Sequence, residues 1–229
     1  MIISVLTLFP EIYSALNTSV LGRALSESSL AVNVVNIRDY SKDKHQRCDD
    51  TPFGGGAGMV MTPQPLHDAI TANDVDHCYH RIYLSPKGHK LDQKTVLKLS
   101  KLSHIMLVNG SYEGIDERII DLDIDEELSI GDFVLTSGDF ASLVVINAIA
   151  RYIPGVLGSE ISTEEESFSE GLLEYPHYTR PRVFMDLPVP DVLLSGDHKK
   201  IYEWRKSESL KLTLARRPDL LNSTDKLEV

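Results

Sequence analysis

Apolar residues in this chain fall in short runs, separated by segments whose apolar positions recur at helical spacing. Ile2–Leu8 is almost entirely apolar, which predicts a strand. Pro10–Leu25 carries Ile12, Ala15, Leu16 and Val20 near helical spacing and predicts a helix. Val32–Ile37 is rich in β-branched residues and predicts a second strand. Arg81–Leu84 and Ile105–Val108 predict short buried strands with a helix, Asp92–Leu102, between them. Phe133–Leu135 predicts one more short strand, and Asp139–Tyr152 a mostly apolar helix closed by Pro154-Gly155. Strands alternating with helices in this way argue for a parallel α/β sheet.

The pattern changes after Gly158. Ser159–Glu170 is polar and acidic, as expected of a linker or mobile loop. Pro176, Pro181, Pro188 and Pro190 then argue against regular structure, until Asp197 caps a last helix that runs to about Arg217 and stops at Pro218. The reading is therefore a domain over 1–158, a flexible acidic linker over 159–172 and a small, mostly helical C-terminal domain over 173–229.

Composition adds bounds. With 229 residues and 42% hydrophobic content, the chain can bury one large core and a small appendage. The N-terminus has no basic region before its apolar run, and no run approaches the roughly 18 apolar residues of a membrane span, so neither a signal peptide nor a membrane segment is expected. Cys48 and Cys78 lack the spacing of a zinc site or a disulfide framework, which fits a reducing, cytoplasmic location. The net charge of -11 argues against a nucleic-acid partner. The distribution argues the other way at one place: Lys199, Lys200, Arg205, Lys206, Lys211, Arg216 and Arg217 face only Glu203 and Glu208 within one stretch.

Glycines mark the candidate chemistry. Phe53-Gly-Gly-Gly-Ala-Gly58 is not a phosphate-binding P-loop, because no Gly-Lys-Ser/Thr follows. It also fails the G-x-G-x-x-G pattern at Met59, which disfavours a nicotinamide oxidoreductase. A flexible surface loop and a loop that admits backbone close to a flat ligand both remain open, with Lys42, Lys44, His45 and Arg47 upstream to meet phosphates. Three further turns each join an apolar run to a glycine: Tyr83–Gly88, Val108–Gly114 and Leu128–Gly138. Ligands of open α/β sheets bind outside the carboxyl ends of strands, so three such turns can enclose an adenosine between Leu84, Ile130 and Leu135. Glu113, Arg151 and the acidic run Glu164–Phe168 have ordinary surface readings as well as functional ones, and nothing local decides between them.

The ordered set of words is more specific than any one of them. Leu8-Phe-Pro, Gly54–Met59, Tyr83-Leu-Ser-Pro86, Tyr112–Arg118, Ser129-Ile-Gly-Asp132, Ile153–Gly158, Ser167-Phe168, Glu170–Leu173, Pro176–Pro181 and Val192–Gly196 occur in that sequence. Together they closely resemble the bacterial tRNA (guanine-N1)-methyltransferases of the TrmD type, over nearly the whole chain. The resemblance implies a SPOUT fold, an α/β domain with a deep trefoil knot in its parallel sheet. It also implies a homodimer whose active site is shared between subunits. The methyl donor would be S-adenosylmethionine, with Mg2+ as a possible cofactor to which Glu113 and Glu166 contribute. The partner would be the anticodon stem-loop of tRNA, and the target N1 of the guanosine immediately 3′ of the anticodon.

Carried over by position, the donor pocket comprises Tyr83, Leu84, Ser85, Pro86, Gly110, Tyr112, Glu113, Ser129, Ile130, Gly131, Asp132, Phe133, Val134, Leu135 and Gly138. Arg151 matches the family's catalytic arginine, and Glu166 falls where the family usually has a catalytic aspartate. Ser111 stands where close relatives often carry arginine. Chemistry agrees with these assignments: guanine N1 must lose a proton before it attacks a methyl group, and charge then moves to O6. Glu166 is the expected base and Arg151 the expected O6 partner. Methylation at another RNA position, and a non-catalytic RNA-binding relative, remain the alternatives.

Overall fold

The computed structural model describes residues 1–27, 29–156, 166–168 and 171–221. The chain divides into two units, Met1–Gly158 and Ser159–Val229. The expected acidic linker falls largely outside the described residues, at 159–165 and 169–170.

The first unit is built on a five-stranded sheet. Its strands are β1 (Ile2–Thr7), β2 (Ala31–Asn36), β5 (His80–Lys90), β6 (His104–Asn109) and β7 (Glu126–Ser129). They lie in the order β2-β1-β6-β5-β7, and every pairing is parallel. The short pair β3 (Asp49–Asp50) and β4 (Val60–Met61) forms a separate antiparallel ladder. The near-continuous apolar run of β1 is explained by its place inside the sheet. Ile3 and Val5 pack into one core cluster with Tyr13, Leu16, Val96, Leu99, Val145 and Ile149, while Leu6 packs into a second with Ile37, Leu66, Ile70 and Ile119. Helices α3 (Gln93–Leu99) and α5 (Asp139–Ala150) therefore cover one face, and α2 (Pro63–Asn73) and α4 (Glu117–Asp123) cover the other.

Three expectations need correction. The helix read over Pro10–Leu25 is two pieces, a 3-10 segment Pro10–Asn17 and α1 (Ser19–Ser26), separated by extended Thr18. The Thr18 hydroxyl bonds back to the Ala15 carbonyl, and a Cβ on Gly22 would stand 2.4 Å from the Asn17 carbonyl oxygen, so only glycine lets the second helix start this close. No strand forms at Phe133–Leu135, which is a turn, and the strand lies instead at Glu126–Ser129, where two acidic residues mask the apolar signal. The proline-rich stretch of the second unit contains a hairpin, β8 (Val183–Phe184) and β9 (Leu187–Pro188), whose two-residue turn lacks the usual Asn-Gly signature.

β5 is far longer than its apolar core predicts, for a reason that bears on function. Leu84 and His89 both pair with Leu128, so Ser85–Gly88 leaves the ladder and returns to it. Pro86 cannot donate to a ladder, which favours the excursion here. Gly88 closes it: an added Cβ would lie 2.4 Å from the Leu128 amide nitrogen and 2.6 Å from the Glu127 carbonyl oxygen. On either side of the excursion, His80 and His89 both reach Glu126, at 2.6 and 2.8 Å, and Lys98 joins at 3.4 Å.

The second unit contains the hairpin, α6 (Asp191–Leu194), α7 (His198–Arg216) and a terminal 3-10 turn. Asp197 caps α7 by accepting from the Lys200 amide, as the sequence predicts. Fully buried Thr213 receives the Leu173 amide at 2.8 Å, which pins the extended segment to the helix. No described helix is long and apolar enough to cross a membrane.

Two outcomes follow from the β5–β7 crossing. Gly88→Ala forces backbone against backbone and should lower stability by about 1–3 kcal/mol in urea unfolding; an unchanged midpoint would contradict this contact. Burial alone would push the Glu126 carboxyl up, but the His80 hydrogen bond and the charges of Lys98, His80 and His89 outweigh it and hold the group below its ordinary value. Its contribution is then complete above about pH 4.5 and is lost as pH falls through the lower folded-state value. Glu126→Gln should accordingly flatten the acid limb of a stability–pH curve below that point, and an acid limb identical to wild type would rule this out.

Candidate nucleoside-binding site

The three glycine-bearing turns come together. They enclose a cavity of about 260 Å3 at the carboxyl ends of β5, β6 and β7. This lies just below the range for small-ligand pockets, roughly 300–1,000 Å3. Of the residues expected in the pocket, Tyr83, Leu84, Ser85, Pro86, Gly110, Tyr112, Glu113, Ser129, Ile130, Gly131, Phe133, Val134, Leu135 and Gly138 line it. Asp132 does not: its side chain is 85% exposed and ion-paired with Lys90 at 2.6 Å. Lys87, Ser111, Gly114, Ile115, Ile120, Leu128, Thr136, Ser137 and Ala141 complete the lining.

Each turn is held by its own hydrogen bonds. The Gly138 amide donates to the Gly110 carbonyl at 2.9 Å, and Ser111 and Ser137 form a bridge, so the second and third turns are laced together. The Ser129 hydroxyl donates to the Gly131 carbonyl at 3.0 Å and lies 3.2 Å from the Gly131 amide, which tightens the turn where Gly131 takes φ +153. Gly110 has no room for a side chain, since a Cβ would stand 2.6 Å from the Tyr83 hydroxyl. Tyr112 sits at φ +60, a left-handed conformation that is uncommon outside glycine and concentrates at functional turns. Burial raises the Tyr83 phenol to about 12, so it is neutral at physiological pH.

The cavity is chemically mixed. Leu84, Ile130 and Leu135 offer apolar walls, while backbone amides, backbone carbonyls and serine hydroxyls offer polar edges. It carries no compact cationic cluster of the kind that grips free phosphate; Lys87 is the one cation in its lining and lies 3.6 Å from Glu117. Such a lining suits a flat, neutral base with a polar rim.

Beneath the cavity lies a buried polar network that local sequence gives no sign of. Asp139, in the first turn of α5, has 0% exposure. Its Oδ1 accepts from the Thr7 hydroxyl at 2.6 Å and the Tyr13 hydroxyl at 3.0 Å, and its Oδ2 from the Ser137 hydroxyl at 2.7 Å. Asn109 Nδ2 donates to the Leu6 carbonyl and the Tyr13 oxygen, and its Oδ1 accepts from Ser142 at 2.5 Å. Burial, reinforced by the Asp139 charge, holds the Tyr13 phenol far above its usual range. Asn109 directly precedes Gly110, and Asp139 directly follows Gly138. The network thus fixes two of the three turns from below. No local pattern signals it, since its partners are up to 132 residues apart.

The remaining expected residues lie elsewhere. Arg151 is the C-cap of α5 in the first unit, and Glu166 belongs to the second. Glu164 and Glu165 lie outside the described residues. The glycine loop does not line the cavity. It adjoins it through Gly58, where a Cβ would meet Glu113 Oε1 at 2.5 Å, and through the Glu113 amide, which donates to the Met59 carbonyl. Among the described residues no three His, Cys, Asp or Glu side chains converge as a metal site.

A family profile described as tRNA (Guanine-1)-methyltransferase TrmD matches residues 1–223. A protein of Carboxydothermus hydrogenoformans named tRNA (guanine-N(1)-)-methyltransferase is 54% identical over 220 residues, covering 96% of this chain and 87% of its own length. Proteins of the same name from Caldanaerobacter subterraneus and Clostridioides difficile are 54% and 52% identical, covering 100% and 96% of this chain and 95% and 97% of their own.

The buried network generates a test. Thr7→Val keeps shape but strips a donor from Asp139 and an acceptor from the Phe9 amide, and should cost about 1–3 kcal/mol in chemical denaturation. Thr7→Ser keeps the hydroxyl and should be the milder change although it removes volume. A valine variant as stable as wild type would show the network to be energetically idle.

Proposed function

The chain belongs to the TrmD family of tRNA (guanine-1)-methyltransferases, and from that premise we propose that it methylates N1 of the guanosine immediately 3′ of the anticodon, using S-adenosylmethionine. The observation that carries this reading is the convergence of three glycine-bearing turns on one nucleoside-sized cavity. The donor, when bound, supplies a sulfonium methyl group. Leu84, Ile130 and Leu135, which line the cavity, would flank its adenine ring, and the backbone of the turns would read the base edge. Family membership is also the basis for a SPOUT fold with a trefoil knot, and the β5 excursion, crossed by β7 at Gly88, is in keeping with it.

On the acceptor side, the residues of this chain handle one proton and one oxygen. Glu166 takes the N1 proton of guanine, and Arg151 donates to O6 as negative charge accumulates there. A positioned base contributes typically about 10²–10⁴-fold, and a preorganised donor to a developing oxyanion roughly 10²–10³-fold. Glutamate is one methylene longer than the aspartate usual in the family, so the backbone bearing Glu166 stands further back from N1. The described acidic residues do not gather into a Mg2+ site, and Mg2+ enters no step of this account.

The second unit, with its basic α7, is the tRNA-binding part. A homodimer is supported by an exposed apolar strip along the third turn and the following helix: Phe133, Val134 at 82% exposure, Phe140 and Val144. A patch of this kind marks an association surface. The reading also places the enzyme in the cytoplasm, where tRNA is matured.

The activity is tested by incubating tRNA transcript with labelled donor and mapping the label, which should sit on N1 of the single guanosine 3′ of the anticodon. Label elsewhere would favour methylation of another RNA position, and none a non-catalytic relative. In single-turnover transfer, Glu166→Gln should lose about 10²–10⁴-fold and Arg151→Ala roughly 10²–10³-fold, with donor binding preserved. A Glu166→Gln rate equal to wild type would remove it from the base role.

A further inference from the structure

We propose that the arm from Tyr178 to the tip of the β8–β9 hairpin is a stacking platform for the unpaired bases of an RNA loop. It rests on the tRNA reading above and adds to it the place where the loop bases are held.

Two features coincide on the arm. First, it leaves cations unneutralised in a protein of net charge -11. Arg47, Arg81, Arg118 and Arg217 each lie against a carboxylate. Arg180 and Arg182 are exposed and pair with no carboxylate among the described residues. The nearby acid Glu174 is engaged by His177 at 2.7 Å, leaving Asp186, in the hairpin turn, as the carboxylate of the arm itself.

Second, those guanidinium groups are flanked along the chain by aromatic rings that face solvent. The order is Tyr178, Arg180, Arg182, Phe184, and Phe184 is 60% exposed. Tyr178 lies 6.3 Å from the Trp204 ring on α7, where Tyr202 is also exposed. The hairpin does not bury Phe184 in a core. It pairs Phe184 with Leu187 across a turn in which Met185 and Asp186 both take left-handed conformations, at φ 48 and φ 64. Two consecutive non-glycine residues in that region are costly, and such strain concentrates at functional sites. The Val189 amide closes the hairpin onto the Arg182 carbonyl at 2.9 Å, so the platform is held.

Exposed rings flanking unneutralised guanidinium groups match single-stranded nucleic acid. Each base stacks on a ring, and each phosphate meets a cation. A duplex stem would use the cations and leave the rings idle. A protein partner would be expected to cover the rings without calling for unneutralised arginines. The unpaired bases of the anticodon loop supply both features at once.

The full-length protein is titrated with a synthetic anticodon stem-loop RNA, and with the same stem carrying abasic loop residues outside the target guanosine. Phe184→Ala should weaken stem-loop binding roughly 5- to 150-fold with an unchanged salt slope, and should erase the preference over the abasic loop. Arg180→Ala and Arg182→Ala should each reduce the slope of log K against log salt by about one. Phe184→Trp should retain binding, which separates loss of a ring from loss of structure. Donor binding by calorimetry should be the same in all variants. Wild-type affinity in Phe184→Ala, or equal affinity of the wild type for both RNAs, overturns the platform. Sedimentation showing that Phe184→Ala has become a monomer would instead assign the face to a second copy of the chain and also overturn it. If wild-type protein binds the stem-loop yet methylates nothing, the reading under Proposed function fails while the platform is still judged on affinity.

Discussion

A carboxylate with no exposure must find donors or lose its charge, and Asp139 sits at the junction where that demand organises the molecule. Three hydroxyls from the end of β1, the 3-10 segment after it and the turn before α5 converge on it, and the amino end of α5 adds a favourable field. Asn109 extends the network to the end of β6. Because Gly110 and Gly138 are the chain neighbours of these two polar anchors, the residues that satisfy the buried charge also set the spacing of the turns above it. A cavity built this way is preformed, and its fixed turns limit the ordering cost of binding a nucleoside.

The excursion in β5 works by the same logic from the side. Ser85 to Gly88 leave the ladder and line the cavity, but the strand must then return beside β7. Glycine at 88 permits the close backbone approach, and the His80, His89 and Lys98 contacts to Glu126 hold the crossing from both ends. Backbone polar groups freed by the excursion become available to a ligand, so interrupted pairing here serves recognition.

Much of this was legible in the chain. The apolar runs located β1, β6 and the short core of β5, because those strands are covered on both faces, and β-branched residues located β2, a largely exposed edge strand. The glycine turns located the cavity, because close approach of backbone leaves a compositional mark. Other features were hidden for physical reasons. β7 begins with two acidic residues, and the charge of Glu126 is matched by residues distant in sequence. The break at Thr18 follows from the packing of Gly22 on Asn17, which periodicity does not register. Asp139 and Thr7 are 132 residues apart, and neither looks unusual in its own neighbourhood. Asp132 sits within a pocket motif yet faces Lys90, since a residue in a tight turn can point away from the cavity its neighbours line.

The acidic net charge and the RNA partner are reconciled by position. Arg47, Arg81 and Arg118 of the first unit lie against carboxylates, while the second unit keeps Arg180 and Arg182 beside exposed rings and gathers lysines along α7. The account as a whole depends on the three turns gripping one nucleoside, and calorimetry with S-adenosylmethionine tests that most directly. Wild-type protein should release or absorb heat at one site per chain, and folded Gly110→Val should give none, because its side chain forces Tyr83 out of place. No heat from wild type, or the same affinity in Gly110→Val, would contradict it.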